Sequence, residues 1–359
     1  MSAPATSRPS AGGAFAHGGR RPVRLGPLHT VVETRVVAVT TGLSLAVLLL
    51  GAVSLSLGDF PIPLADVLPA VLGVGDQQAD FIVRTLRLPR ALTGALVGAA
   101  FGLSGAVFQR LTRNPLASPD IIGITAGASA GAVFLIVLTS AGSAAVTAGA
   151  LGGGLLSALA IYLLAWNKGV TGYRLVLVGI GMTAALTSVI QFLLTRAEIT
   201  EASQATVWLT GSLNGRGWDH VVPVGLALLL LVPVTLALGR SLRILQLGDD
   251  AARGLGVRVD RSRAALIVVA VGLAAVATAS AGPIAFVALA APPIAKRLCN
   301  TGGLALAPAA LMGSAVVLAA DLLAQHVMGG LPVGIATALI GAPYLLWLLS
   351  RANRIGSDG

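Results

Sequence analysis

The chain has 359 residues, 55% of them hydrophobic and 11% charged, a balance with too little polar surface to coat a water-soluble globule of this length. Lys and Arg outnumber Asp and Glu by 24 to 14, for a net charge of +10. Nucleic-acid binding would need that charge clustered with aromatics on a solvated domain, but aromatics are 4% of the chain, so the excess is read as a record of membrane topology.

Residues 1 to about 30 are rich in Ser, Pro, Gly and Arg and are expected to form a flexible cytoplasmic tail. Arg20-Arg21 precedes the first apolar run, yet no A-x-A-like cleavage site follows and the run 36–57 is longer than a signal-peptide core, so it is expected to be retained as a span. A helix rises about 1.5 Å per residue and the hydrocarbon core is about 30 Å thick, so spans are sought as windows of roughly 17–25 uncharged residues. Ten windows emerge, at 36–57, 91–109, 120–139, 143–166, 175–195, 220–239, 264–282, 284–298, 304–325 and 332–350. The expected fold is an all-α polytopic membrane protein, with residues 31–353 as the transmembrane domain and 354–359 as a cytoplasmic C-terminal tail.

Threading ten spans from a cytoplasmic N-terminus leaves Arg84, Arg87, Arg90, Arg196 and Arg216 outside and the other nineteen of the 24 Lys and Arg inside. That asymmetry fixes the expected orientation, with both termini cytoplasmic. Arg84, Arg87 and Arg90 lead into the second span, with Pro89 suited to a helix start. Such a cluster can pair with carboxylates of a partner or anchor to lipid phosphates. Gly94, Gly98 and Gly102 then recur every four residues, as do Gly123, Gly127 and Gly131 on the third span. Small faces of this kind serve close helix packing, within one subunit or between two.

Gly127-Ala128-Ser129-Ala130-Gly131 fits G-x-S-x-G, but the pattern falls inside a predicted helix with no histidine base in an apolar core, so no catalytic role is expected. The two lysines, Lys168 and Lys296, stand outside any Gly-Lys-Ser/Thr loop, which excludes a Walker A ATPase. A single cysteine, Cys299, and four dispersed histidines supply neither a disulfide framework nor metal-ligand spacing. Asp321 is expected at the outer end of the ninth span in a helix-end role; the apolar cores otherwise lack the acids that mark proton paths. Between Arg240 and Arg263, the stretch Leu247-Gly248-Asp249-Asp250-Ala251-Ala252-Arg253-Gly254-Leu255-Gly256 reads as a short helix closed by glycine, with acids at its start and Arg253 near its end.

Several blocks resemble the permeases of bacterial importers for iron-siderophores, haem and vitamin B12, the FecCD type. The first runs from Leu86-Arg87-Leu88-Pro89-Arg90 through Gly98, Ser104-Gly105 and Gln109 to Arg113-Asn114-Pro115-Leu116-Ala117-Ser118-Pro119 and Gly123. The others are Leu247 to Gly256, then Gly282-Pro283-Ile284-Ala285-Phe286-Val287, then Leu331-Pro332-Val333-Gly334 with Gly341-Ala342-Pro343. The resemblance covers nearly the whole chain after the tail, and four blocks in order make it specific.

It implies the type II ABC importer permease fold, no cofactor in this chain, and ATP with Mg on two partner ATPase subunits. It also implies a periplasmic or lipid-anchored binding protein and a second permease subunit. Arg84, Arg87 and Arg90 would dock the binding protein. A coupling segment over about 245–258, with Leu247, Gly248, Asp249, Asp250, Ala252, Arg253, Leu255 and Gly256, would seat on the ATPase. The substrate path would run along the fifth span by Gly179, Gly181, Met182 and Thr183. Two departures, Pro293 where the family often has His and Gln325 where it often has Arg, resemble the second permease of heterodimeric catecholate-siderophore systems. The expected cargo is thus a ferric siderophore, with cobalamin or haem as the alternative on the same scaffold and an ion-coupled secondary transporter as the distant one.

Overall fold

The computed structural model describes residues 20–25, 28–139, 142–166 and 172–356. Most of the expected N-terminal tail, Lys168 and the last three residues of the C-terminal tail lie outside the described residues. Within the stretch expected as tail, β1 (Arg20–Leu25) and β2 (Leu28–Glu33) pair antiparallel, Arg20 opposite Glu33. The β-branched run Thr30-Val31-Val32 favours that extended conformation.

From there the described chain is helical, and the ten apolar windows each correspond to one long helix. These are α1 (Thr34–Ser56), α4 (Leu88–Thr112), α5 (Ile124–Thr139), α6 (Ser143–Ala165), α7 (Gly172–Arg196), α9 (Trp218–Ala237), α12 (Val259–Ala281), α13 (Val287–Cys299), α14 (Leu306–His326) and α15 (Val333–Gly356). Shorter helices sit at the two ends of this bundle. At one end lie α2 (Leu64–Leu72), α3 (Gln77–Phe81), which runs through a π-helical turn (Ile82–Arg87) into α4, and α8 (Ile199–Leu209). At the other lie α10 (Gly239–Leu245) and α11 (Asp249–Gly254). These are called below the α3 end and the α11 end.

Two of the ten are too short to cross a bilayer unaided. Where a window predicts a third span from residue 120, α5 begins at Ile124. Helix α13 has 13 residues, about 20 Å against a hydrocarbon core of about 30 Å. The non-helical segment 282–286 makes up the rest of that crossing. Bare backbone is tolerated at such depth only when protein encloses it, and here Gly282 and Ile284 are buried. A Cβ on Gly211 would strike the Pro283 carbonyl, and one on Gly334 the Thr210 carbonyl, so the loop after α8, the 282–286 segment and the start of α15 are laced together at the backbone.

The centre of the bundle is α4, packed by α14, α12, α13 and α9. Its glycine face is a helix seam within the subunit. A Cβ on Gly98 would enter the Gly313 carbonyl of α14, one on Gly102 the Ala309 carbonyl, and one on Gly105 the Ala288 carbonyl of α13. Gly127 and Gly131 do the same against Gly149, Gly153 and Ser157 of α6. Cross-helix hydroxyls fasten the seams: Ser104 Oγ donates to the Ala270 carbonyl at 2.7 Å and Ser314 Oγ to the Ala95 carbonyl at 2.6 Å. By contrast α7 and α9 keep most of their apolar faces exposed, Leu177, Val189, Phe192, Leu229 and Leu230 among them.

Candidate functional site

At the α3 end the three arginines differ in how far they are already committed. Arg84 is exposed on the π-helical turn, while its carbonyl accepts from Trp218 Nε1 at 3.0 Å. Arg87 is half-buried: its Nη1 donates to the carbonyls of Leu55 and Ser56 and its Nη2 to that of Phe60 at 2.6 Å, stapling the end of α1 and the following loop to α4. These are neutral acceptors, so backbone solvates its charge, while the Asp59 carboxylate acts on it only through space. Arg90 is cancelled: its Nε and Nη2 reach both carboxylate oxygens of Asp321 on α14 at 3.0 and 2.7 Å. Asp321 is 1% exposed and its Oδ2 also accepts from Gln325 Nε2 at 2.7 Å. The helix-end role expected of Asp321 is therefore corrected to a buried, bidentate ion pair joining two central helices. Arg87, Arg90, Asp59, Asn214, Gln325 and His326 border a cleft of about 570 Å³ that opens at this end.

Nearby, Arg216 Nη1 contacts His220 Nε2 at 2.9 Å. Burial lowers the Arg216 pKa from its usual value, with Asp219 opposing. Sequence reading gives this pair no role, since Arg216 registers only as an isolated outside charge.

At the α11 end the segment 247–256 is a helix turn of six residues between two glycines with positive φ, Gly248 at 111° and Gly256 at 79°, the short glycine-closed helix that the sequence suggests. Both values are ones that side chains other than glycine rarely adopt. Ala252 is fully buried and plugs α11 into the bundle. Leu247 and Leu255 stand 65% and 61% exposed on a polar face, two apolar knobs left uncovered by the described residues. Asp250 and Arg253 pair with each other at 3.2 Å, both exposed. Asp249 behaves differently, turning back to meet Arg263 Nη2 of α12 at 2.8 Å and lying 4.0 Å from Arg113.

That contact brings together two sequence blocks far apart in the chain. Arg113 ends α4 in a left-handed conformation, φ 54°, and its Nη2 donates to the Leu245 carbonyl of α10 at 2.9 Å. Asn114 Oδ1 accepts from the Leu116 amide at 2.9 Å, an Asx turn that carries the chain past Pro115, and the Pro119 carbonyl accepts from Ile124, the first residue of α5. Gly123, φ 89°, sits against Gly179 and Thr183 of α7. One turn back, Arg110 Nη1 donates to Gln246 Oε1 at 2.9 Å and its Nη2 to the Gly303 carbonyl. The motif 113–123 thus braces α10, α11 and α7 at once. In the same connection burial raises the Asp120 pKa to about 6, opposed by a 2.6 Å bond from the Thr125 hydroxyl.

The four residues that the resemblance puts on a substrate path separate. Gly179 is buried against the Ile122 backbone, Met182 packs on the core, and Thr183 Oγ1 donates to the Gly179 carbonyl at 2.8 Å. Gly181 faces the other way, exposed with open space around it. Of the four, it alone offers room on the free face of α7.

A family model described as the FecCD transport family matches residues 45–351. The ferric enterobactin transport system permease of Escherichia coli K12 is 42% identical over 299 residues, 83% of this chain and 91% of its own. The achromobactin transport system permease of Dickeya dadantii is 43% identical over 316 residues, 86% of this chain and 90% of its own. In three dimensions the chain matches a metal-chelate type ABC transporter solved in an inward-facing conformation, with a TM-score of 0.79 at 26% identity over 88% of this chain and 99% of that one.

Proposed function

The chain belongs to the FecCD transport family, and from that premise we propose that it is the membrane-spanning permease of an ATP-binding-cassette importer that carries ferric-siderophore chelates across the bacterial cytoplasmic membrane. The observation that carries the substrate reading is the 42% and 43% identity, over most of both chains, to permeases for ferric enterobactin and for achromobactin. Two ATPase subunits, holding ATP and Mg, would seat below the α11 end, where Leu247, Leu255 and Arg253 are exposed on a helix whose other side is rooted by Ala252 and Asp249. A second permease, in a heterodimer, would cover the exposed face of α7, with the chelate passing by Gly181. The α3 end then faces outward, as the charge asymmetry favours, with both termini in the cytoplasm.

A binding protein, periplasmic or lipid-anchored, would dock at that end. The charges available to it rank as Arg84 first, exposed, then Arg87, whose charge no carboxylate bonds directly, and last Arg90, already held by Asp321. Docking by carboxylates is accordingly a matter of Arg84 and Arg87.

The test is uptake of radiolabelled iron on a panel of siderophores, with haem and cobalamin alongside, in cells lacking this chain and in complemented cells. Loss and restoration of one ferric chelate is the expected result. Loss of cobalamin uptake with ferric uptake intact would overturn the substrate reading and leave the family assignment standing.

A further inference from the structure

At the α11 end, between the foot of α9, α10 and the first turns of α12, lies a second cleft of about 550 Å³. Arg240, Arg258 and Arg261 border it together with the hydroxyl residues Ser241 and Ser262. All three arginines are exposed, and among the described residues none has an ion-pair partner, whereas Arg253 and Arg263 in the same segment do. The one carboxylate on that turn of α12, Asp260, is not part of the cleft wall. Three like charges held together without a counter-ion form a site for a polyvalent oxyanion, and guanidinium groups suit phosphate in particular.

The cleft does not end at its charges. Its upper wall is Leu238 at the end of α9 and Ala265 on α12. Helical periodicity sets Val234 and Leu230 above Leu238 and Val268 above Ala265. These three are 45%, 69% and 67% exposed, an apolar stripe on the two packed helices that rise from the cleft. From Ala237, the last residue of α9, to Leu230 is seven residues, about 10 Å, within the depth of one leaflet of a core about 30 Å thick.

We propose that this cleft and the stripe above it bind an anionic phospholipid, the phosphate headgroup among Arg240, Arg258 and Arg261 and an acyl chain along Leu230, Val234 and Val268. Basic pockets between helices at a membrane surface hold acidic headgroups in this way. The apolar stripe favours lipid over free phosphate, because phosphate alone leaves the stripe uncovered.

The test uses the full chain in mild detergent, with binding read by native mass spectrometry for three probes: dioctanoyl-phosphatidylglycerol, dioctanoyl-phosphatidylcholine and inorganic phosphate. Phosphatidylglycerol should bind more tightly than phosphatidylcholine, and should weaken by about fivefold for each arginine changed in R240Q, R258Q and R261Q. The triple Arg→Lys variant keeps the charge and should retain binding, a control against misfolding. V234Q should weaken phosphatidylglycerol and leave phosphate unchanged. Equal phosphatidylglycerol binding by the wild type and the triple Gln variant would overturn the proposal. So would phosphate binding as tightly as the lipid, which would mark a free-anion site. If the triple Gln variant instead lost association with the ATPase subunits while keeping the lipid, the cleft would be a protein contact and the proposal would fall.

Discussion

Asp321 and Arg90 show how much one buried pair can decide. Each is an expensive group in or near hydrocarbon, and together they satisfy one another at 2.7 and 3.0 Å with Gln325 taking a further lone pair. Removing one partner strands the other, so Asp321→Asn should lower the stability of the purified permease by about 2–4 kcal/mol. Arg90→Gln in the same chain should restore much of it. Thermal unfolding of both single variants and the double variant checks this, and additive losses would show that the pair is not coupled. Nothing in a hydropathy window reveals the pair, because it registers Asp321 only as a charge near a span end. The signal lies in topology: with α4 and α14 antiparallel, a residue near the start of one meets a residue near the end of the other. Arg87 was legible as a special position, but its bonds to three carbonyls were not, since backbone acceptors leave no mark in a sequence.

Among the elements, the long helices were legible as elements, with ends that fall up to six residues from the windows, as at 332–350 against Val333–Gly356, because long apolar runs have few competing explanations while their ends are set by local contacts. The short ones were not. Helices α2, α3 and α8 pack over one end of the bundle and carry mixed polarity, and the start of α13 is fixed by the close approaches of Gly211 to Pro283 and of Gly341 to Phe286, which only tertiary contact creates. The glycine faces were legible as packing faces though their partner was open. That partner is now a carbonyl of α14 or α13 for Gly98, Gly102 and Gly105, whereas Gly181 of α7 meets none of the described residues. Gly98→Val should therefore cost about 2–3 kcal/mol or prevent folding, since the added atoms meet backbone that cannot rotate away. Gly181→Trp should leave the melting temperature of the isolated permease unchanged yet abolish chelate uptake. Normal uptake by a well-folded Gly181→Trp chain would remove that residue from the path.

Across the whole molecule, the two candidate faces lie at opposite ends of the same helices, and α11 is tied to the bundle through Asp249, held by Arg263 and near Arg113. Asp249→Lys would bring three cations together and should detach α11 from α4 and α12, so that ATP hydrolysis continues without uptake in the assembled transporter. Arg253→Glu should uncouple as well but leave the melting temperature unchanged, because its bond to Asp250 is in water. Hydrolysis and uptake measured on the same membranes distinguish the two; retained transport in both would make the segment a plain connector. The sequence block 113–119 and the block 247–256 were each recognisable, but their contact was not, as it joins residues more than a hundred positions apart. Helix α4, 25 residues or about 37 Å from end to end, carries Arg90 near its start and Arg110 and Arg113 at its finish, with carbonyls of its neighbours pressed into its glycines along the way. In mechanical language it is a keyed shaft. Locked by those contacts and by the hydroxyl bonds to its neighbours, it can neither slide nor turn alone, so a displacement at one end carries α12, α13 and α14 with it as one block.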